Sequence, residues 1–125
     1  RIDQLTPSED MIGTLTWIDH NTDYNTVVLS DAEFRDYIKT FAKRESFDSL
    51  YTHKNTELNQ KLLKNTNVEG FIPMLEKHKI SIIYISKEMK EKYDNGFIIL
   101  LQNERFKLIH SHGDYEVWAF SSKEA

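Results

Sequence analysis

Seven residues, Ile80-Ser81-Ile82-Ile83-Tyr84-Ile85-Ser86, restrict the folds open to this chain more than any other stretch. So short and β-branched an apolar run, nearly unbroken, is the pattern of a strand covered on both faces. Upstream, Phe71, Met74, Leu75 and His78 are spaced as one face of a helix. Downstream, Ser86 leads into Lys87-Glu88-Met89-Lys90-Glu91-Lys92, a polar helical turn. A helix feeding a buried strand that opens into a second helix is the middle of an α/β domain.

The remaining elements read outward from this centre. Thr6-Pro7-Ser8-Glu9 predicts a helix start, with Thr6 as cap, Pro7 in the first turn and Glu9 closing a capping box. Met11, Leu15 and Ile18 share its buried stripe, and Trp17 falls on a flank. Thr26-Val27-Val28-Leu29-Ser30 is a second strand, and Ser30 with Glu33 predicts another capping box. The helix that follows carries Phe34, Tyr37, Ile38 and Phe41 on one face. A short edge strand is expected at Ser46-Phe47-Asp48, and a helix between Thr56 and Asn65. A further helix runs from an Asn67 cap to His78, with Pro73 tolerable only in its first turn. Asp94-Asn95-Gly96 stops the chain, and Phe97 to Gln102 reads equally as helix or strand. Arg105 to Phe120 predicts a β-hairpin turning at His112-Gly113-Asp114. The expected fold is α/β: a small mixed sheet with parallel strands near 26–30 and 80–86, flanking helices, and a C-terminal antiparallel hairpin near 105–120.

Length and composition bound the function. A chain of 125 residues is most simply one domain, and 39% hydrophobic against 29% charged residues is a globular balance. A formal net charge of -4 argues against a domain that coats nucleic acid, which needs a Lys/Arg excess. The absence of cysteine excludes disulfides and thiolate metal sites. The longest apolar run, Phe97 to Leu101, is far short of the roughly 20 residues of a membrane helix. A start at Arg1, without an initiating Met, leads us to expect a domain excised from a longer protein.

Three constellations are candidates for a site. Ser30, Asp31, Ser86 and Lys87 fall at the carboxyl ends of the two expected parallel strands, where open α/β sheets bind ligands. Helix capping is the ordinary use of the same serines and aspartate. Arg44, Asp48 and Tyr51, with Arg35 and His53 nearby, gather in the least regular stretch, where an aromatic beside Arg and Asp suits a sugar. The same residues suit a salt-bridged polar loop. His110 and His112, with Asp114 beside them, are weak metal candidates because no third nitrogen or sulfur ligand is set by spacing. No Gly-x-Ser-x-Gly, P-loop or His-Glu-x-x-His occurs, so no catalytic residue and no cofactor is assigned.

The order of segments carries a resemblance. Trp17-Ile18, the Asn21-Thr22 turn and Val27-Val28-Leu29-Ser30-Asp31 come first, followed by Tyr37-Ile38 and Phe41-Ala42-Lys43-Arg44. Leu75-Glu76-Lys77-His78-Lys79 then leads into the central strand, and Phe106 to Trp118 closes the series. The series, from about Glu9 to Phe120, resembles the soluble C-terminal domain of archaeal-type multi-spanning GT-C membrane glycosyltransferases, relatives of dolichyl-phosphate mannosyltransferases and oligosaccharyltransferases. The resemblance implies a domain on the extracytoplasmic face of the membrane, partnered by its own transmembrane region and in contact with a glycan or lipid-linked sugar. The catalytic residues of that family lie in the membrane part, so none is carried over. Its oligosaccharyltransferase branch has a Trp-Trp-Asp motif in the soluble domain, which this chain lacks. Two readings stand beside the accessory domain: a free-standing ligand- or protein-binding α/β module, and an enzyme working through Asp31.

Overall fold

The computed structural model describes residues 7–47, 68–93 and 101–121. The first helix, α1 (Glu9–Asn21), is capped by Ser8, whose Oγ accepts from the Met11 amide. The start therefore lies two residues beyond the expected Thr6, and Glu9 is the first helical residue. Met11, Leu15 and Ile18 are buried as their spacing predicted, joined by Thr14. The Thr14 hydroxyl is absorbed by the Asp10 carbonyl at 2.8 Å, which lets a polar residue enter the stripe.

Strand β1 (Val27–Leu29) leads into three short helical pieces. They are a 3₁₀ turn (Ala32–Phe34), one α turn, α2 (Arg35–Tyr37), and a π turn (Ile38–Ala42). The expected uniform helix is thus broken, although Phe34 and Ile38 are buried as predicted, with Ala42. Tyr37 and Phe41 are half-buried and stack at 6.4 Å. The π turn ends on Lys43 in the left-handed region (φ 55°), from which the chain enters the edge strand β2 (Glu45–Ser46).

Helix α3 (Val68–Lys77) precedes β3 (Ile80–Ile85), and α4 (Lys87–Lys92) follows it. Pro73 is the sixth of ten residues in α3, not in its first turn. The ring there gives up one helical hydrogen bond, to the carbonyl of residue 69. The hairpin is β4 (Phe106–His112) and β5 (Tyr115–Phe120), joined by two residues rather than three. Gly113 takes φ +60° at the first loop position, as a two-residue turn of the II′ kind requires. An ideal Cβ there would meet Asp10 Oδ2 at 2.5 Å, a side-chain end that can swing aside, so it is the positive φ that favours glycine here. The expected Thr56–Asn65 helix, the Thr6 and Asn67 caps and the Asp94–Gly96 stop lie outside the described residues. So do Asp48, Tyr51, His53 and most of Phe97–Gln102.

Among the described residues the sheet has five strands in the order β2-β1-β3-β5-β4. β1 pairs in parallel with both β2 and β3, and β5 joins β3 antiparallel. Cross-strand partners share a face, so Val28, Ile82, Tyr84, Val117 and Ala119 line one side. Leu29, Ile83 and Trp118 line the other. On the first side Trp17 of α1 stacks on His110 at 4.6 Å, and Phe34 meets Tyr84 edge-on at 5.6 Å. On the second, Phe71 of α3 packs on Phe106, and Lys90 of α4 reaches Glu116. Helices thus cover both faces, and every residue of β3 except Ser81 is buried.

At the amino edge of the sheet, Arg44 ties α1 to the approach to β2. Its guanidinium is buried and donates to the Thr22 carbonyl (2.7 Å), the Asp19 carbonyl (2.9 Å), the Lys43 carbonyl (3.0 Å) and Thr22 Oγ1 (3.1 Å). Asp19 Oδ1 lies 3.3 Å away. The planar fork serves several carbonyls at once, which an ammonium cannot do. Replacing Arg44 strands those acceptors, so Arg44→Ala is expected to lose roughly 2–4 kcal/mol in chemical denaturation. Arg44→Lys should recover only a minor part of that loss.

Candidate functional site

The parallel pairing of β1 and β3 brings their carboxyl ends side by side. β2 lies on one side of this pair and β5 on the other, so the chain leaves the two strands in opposite directions. That is the point in an open α/β sheet where a crevice forms. Because β5 starts opposite the end of β3, with Ile85 paired to Glu116, the hairpin turn and the amino end of α1 reach the same edge.

Ser30, Asp31, Ser86 and Lys87 are all at this edge. Ser30 is fully buried, and its hydroxyl donates to the Tyr84 carbonyl at 2.9 Å, extending the β1–β3 pairing past the last strand residues. It is not the helix cap that the Ser30/Glu33 spacing predicted. Asp31 takes that place, its Oδ1 accepting from the Ala32 amide at 2.9 Å. Ser86 caps α4, its Oγ accepting from the Met89 amide at 3.1 Å. Lys87 is exposed in the first turn of that helix.

Asp31 does more than cap. It is only 2% exposed, its Oδ2 accepts from Lys92 Nζ at 3.0 Å, and its Oδ1 from the Tyr93 hydroxyl at 3.1 Å. The Asp31 hydrogen bond raises the Lys92 pKa. Burial and then the Asp31 charge push the Tyr93 phenol up to about 12. Glu33 faces the same group: burial, then the neighbouring Asp31 charge, raise its pKa above the ordinary carboxylate value. Lys92 and Tyr93 were not singled out from sequence as site residues, and Glu33 was read only as half of a capping box with Ser30. The signal available was the i, i+2 spacing of Asp31 and Glu33 at a strand end; nothing local tied either residue to positions 92 and 93.

Two side-chain atoms at this edge are buried without a hydrogen-bond partner among the described residues, Tyr84 Oη and Glu88 Oε1. Tyr84 lies in the sheet with its ring parallel to Tyr115 (6.2 Å, 8°). Ser8, the cap of α1, donates to the Tyr115 hydroxyl at 3.4 Å.

The other candidates lie apart. Arg44 is at the opposite edge, engaged as described above. His110 is sandwiched between Trp17 and His112, while His112 Nε2 lies 2.9 Å from Asp10 Oδ1 of α1 and not against Asp114. Among the described residues no group of three His, Cys, Asp or Glu side chains is arranged to hold a metal ion. Burial, followed by the His112 charge, lowers the His110 pKa. His78, packed on Phe47 at 4.9 Å, is lowered by burial and then by Lys77.

No protein-family model matches the chain, and no curated protein matches it in sequence. Among solved structures it is similar to the C-terminal globular domain of oligosaccharyltransferase from Archaeoglobus fulgidus. The TM-score is 0.76 at 11% identity, covering 94% of this chain and 100% of the other. The two share a fold. No helix of the described residues is long and apolar enough to cross a membrane.

The titrations carry definite signs. Glu33 binds its proton more tightly folded than unfolded, so it opposes folding increasingly as pH rises past 4.5. Glu33→Gln is therefore expected to raise the melting temperature at pH 7 by about 1–2 °C, the gap closing near pH 4. A lower melting point at pH 7 would mean that the carboxylate makes a contact the fold needs. His78 and His110 have the opposite sense: each is easier to protonate unfolded, so stability is present above 6.5 and lost as pH falls below it. His78→Phe should flatten thermal stability between pH 7 and about pH 5 relative to the wild type.

Proposed function

We propose that this chain is a non-catalytic accessory domain of a membrane glycosyltransferase-like protein. In this reading it sits on the extracytoplasmic face, packs over the parent's transmembrane region and shapes or gates the acceptor site. The observation that carries it is the fold shared with an oligosaccharyltransferase C-terminal domain across 94% of the chain. The family-like order of segments along the sequence supports it independently. The sheet architecture supplies a means: one edge is bolted by buried Arg44, and the other gathers the buried polar groups Ser30, Asp31 and Ser86. A glycan or lipid-linked sugar is the ligand class that edge would meet in that setting.

The test is deletion of residues 7–121 from the parent protein, with the membrane part confirmed to insert and remain intact. Glycosyl transfer is expected to fall at least about tenfold, the loss of roughly one well-placed set of acceptor contacts. Transfer at an unchanged rate would overturn the accessory role. A second reading, a ligand- or protein-binding α/β module standing alone, is favoured by one feature, the buried hydroxyl of Tyr84 that has no hydrogen-bond partner among the described residues. A parent gene without apolar spans of about 20 residues would decide for that reading.

A further inference from the structure

Three rings stand in a column where α1 meets the hairpin. Trp17 stacks on His110 with centroids 4.6 Å apart and planes 16° from parallel, and His110 lies against His112 at 6.4 Å and 11°. Beyond the stack, Asp10 Oδ1 lies 2.9 Å from His112 Nε2, with both side chains half exposed, and Ser8 Oγ donates to the Tyr115 hydroxyl at 3.4 Å. An exposed ion pair and so long a hydrogen bond hold weakly. The stack is therefore the main tie between α1 and β4. α1 itself is fixed elsewhere, by Met11, Leu15 and Ile18 in the core. β4 is the edge strand, paired among the described residues with β5 alone and bent at Ile109. The part free to move is the outer strand and its turn, not the helix.

The balance of charge decides what the stack can do. The column brings two imidazoles together with one carboxylate. A proton on His112 is met by Asp10. A proton on His110 meets no carboxylate. Toward α1 it faces the uncharged Trp17, and toward β5 its cross-strand partner Val117. Along β4 it has His112 on one side and, on the other, Lys107, which shares the face through its pairing with Ala119. Among the described residues the charges beside His110 are thus His112 and Lys107, both cations in acid. We propose that the Trp17–His110 stack is a proton-sensitive latch, closed while His110 is neutral and opened by its protonation, which releases the hairpin tip, residues 110–115, from α1. A charged ring gains cation–π attraction over Trp17. Burial and then the His112 charge oppose it and lower the His110 pKa. The latch is accordingly closed above 6.5 and opens as pH falls below that value.

The latch is independent of the accessory role, because it is read on this chain alone and not from transfer by the parent. The experiment is an NMR titration of the ¹⁵N,¹³C-labelled chain from about pH 7.5 to about pH 5. It follows the His110 ring carbons, the Trp17 indole N–H and hydrogen exchange of the backbone amides. His110 is expected to titrate with a midpoint below the roughly 6.5 of a free imidazole, and the Trp17 indole should shift with that same midpoint. Protection of the amides that pair β4 with β5 at residues 110–112, corrected for the intrinsic exchange rate, should fall about fivefold or more across the range. Protection of the β3–β5 pairs should change by less than about twofold. His110→Phe keeps a ring on Trp17 and removes the proton, so its tip should stay protected at the acid end. If that variant does not fold, His112→Asn decides, since removing the neighbouring charge should move the His110 midpoint up toward about 6.5. A His110 midpoint at or above about 6.5 overturns the proposal, because the charged ring then tightens the stack. A Trp17 indole that does not move through the His110 midpoint overturns it too. So does tip opening that persists in His110→Phe, which would trace the acid response to the Asp10–His112 pair instead.

Discussion

The burial of β3 on both faces is the constraint from which the rest of the structure follows. Ile82 and Tyr84 point to one side, Ile83 and Ile85 to the other, and all are at most 5% exposed. Fully burying each such side chain stabilises the fold by roughly 1.5–3 kcal/mol, so leaving either face open would forfeit several side chains at once. Helices must therefore lie on both faces. With β2 beyond β1 and β5 beyond β3 in the strand order, the chain leaves the two strands in opposite directions. The gathering of polar groups at the carboxyl edge is a geometric by-product of burying this strand.

That arrangement sorts the polar residues by edge. At the amino edge the buried guanidinium of Arg44 answers six backbone and side-chain acceptors, fixing where α1 ends relative to β2. At the carboxyl edge the polar groups are more numerous and less completely matched. Asp31 is satisfied by Lys92 and Tyr93, Glu33 is held in its field, and Tyr84 Oη and Glu88 Oε1 are left over. A fold selected for stability alone gains nothing from that surplus, because unpaired buried polar atoms are a cost. The amino edge has a remainder of its own, since His78 Nε2, just before β3, is also buried without a hydrogen-bond partner among the described residues.

Much of the architecture was legible in the sequence because its strongest signals are local and periodic. The central strand, the Met11–Leu15–Ile18 stripe and the hairpin all announce themselves within a few residues. What was not legible depends on contacts between distant segments. Asp31, rather than Ser30, caps the turn after β1 because the Ser30 hydroxyl is drawn to the Tyr84 carbonyl, a partner 54 residues away. Arg44 reads locally as a loop cation, and only the approach of α1 turns it into a buried anchor. Asp31, Ser86 and Lys87 could be placed at one edge because strand ends can be inferred. Lys92 and Tyr93 could not be joined to them, since no periodicity links a strand end to the end of α4. Pro73 shows the reverse limit. Its local preference points to a helix start, and the packing of Phe71 and Leu75 on either side holds it in mid-helix instead.

The outer hairpin shows the same division between constraint and freedom. β4 is an edge strand, and Ile109 is an extra residue in its ladder, falling between the Leu108–Trp118 and His110–Val117 pairs. Without that bulge, strict alternation would place His110 on the face of Phe106. With it, His110 and His112 turn to the opposite face, where Trp17 and Asp10 of α1 receive them. The bulge also leaves Leu108 and Ile109 exposed on a bent edge beside Lys107, which is a poor template for pairing with another strand. A single inserted residue therefore does two things: it blunts the open edge of the sheet, and it turns His110 and His112 toward α1. The amino end of α1 is thus positioned from the hairpin, through Trp17–His110, Ser8–Tyr115 and Asp10–His112, rather than from β1.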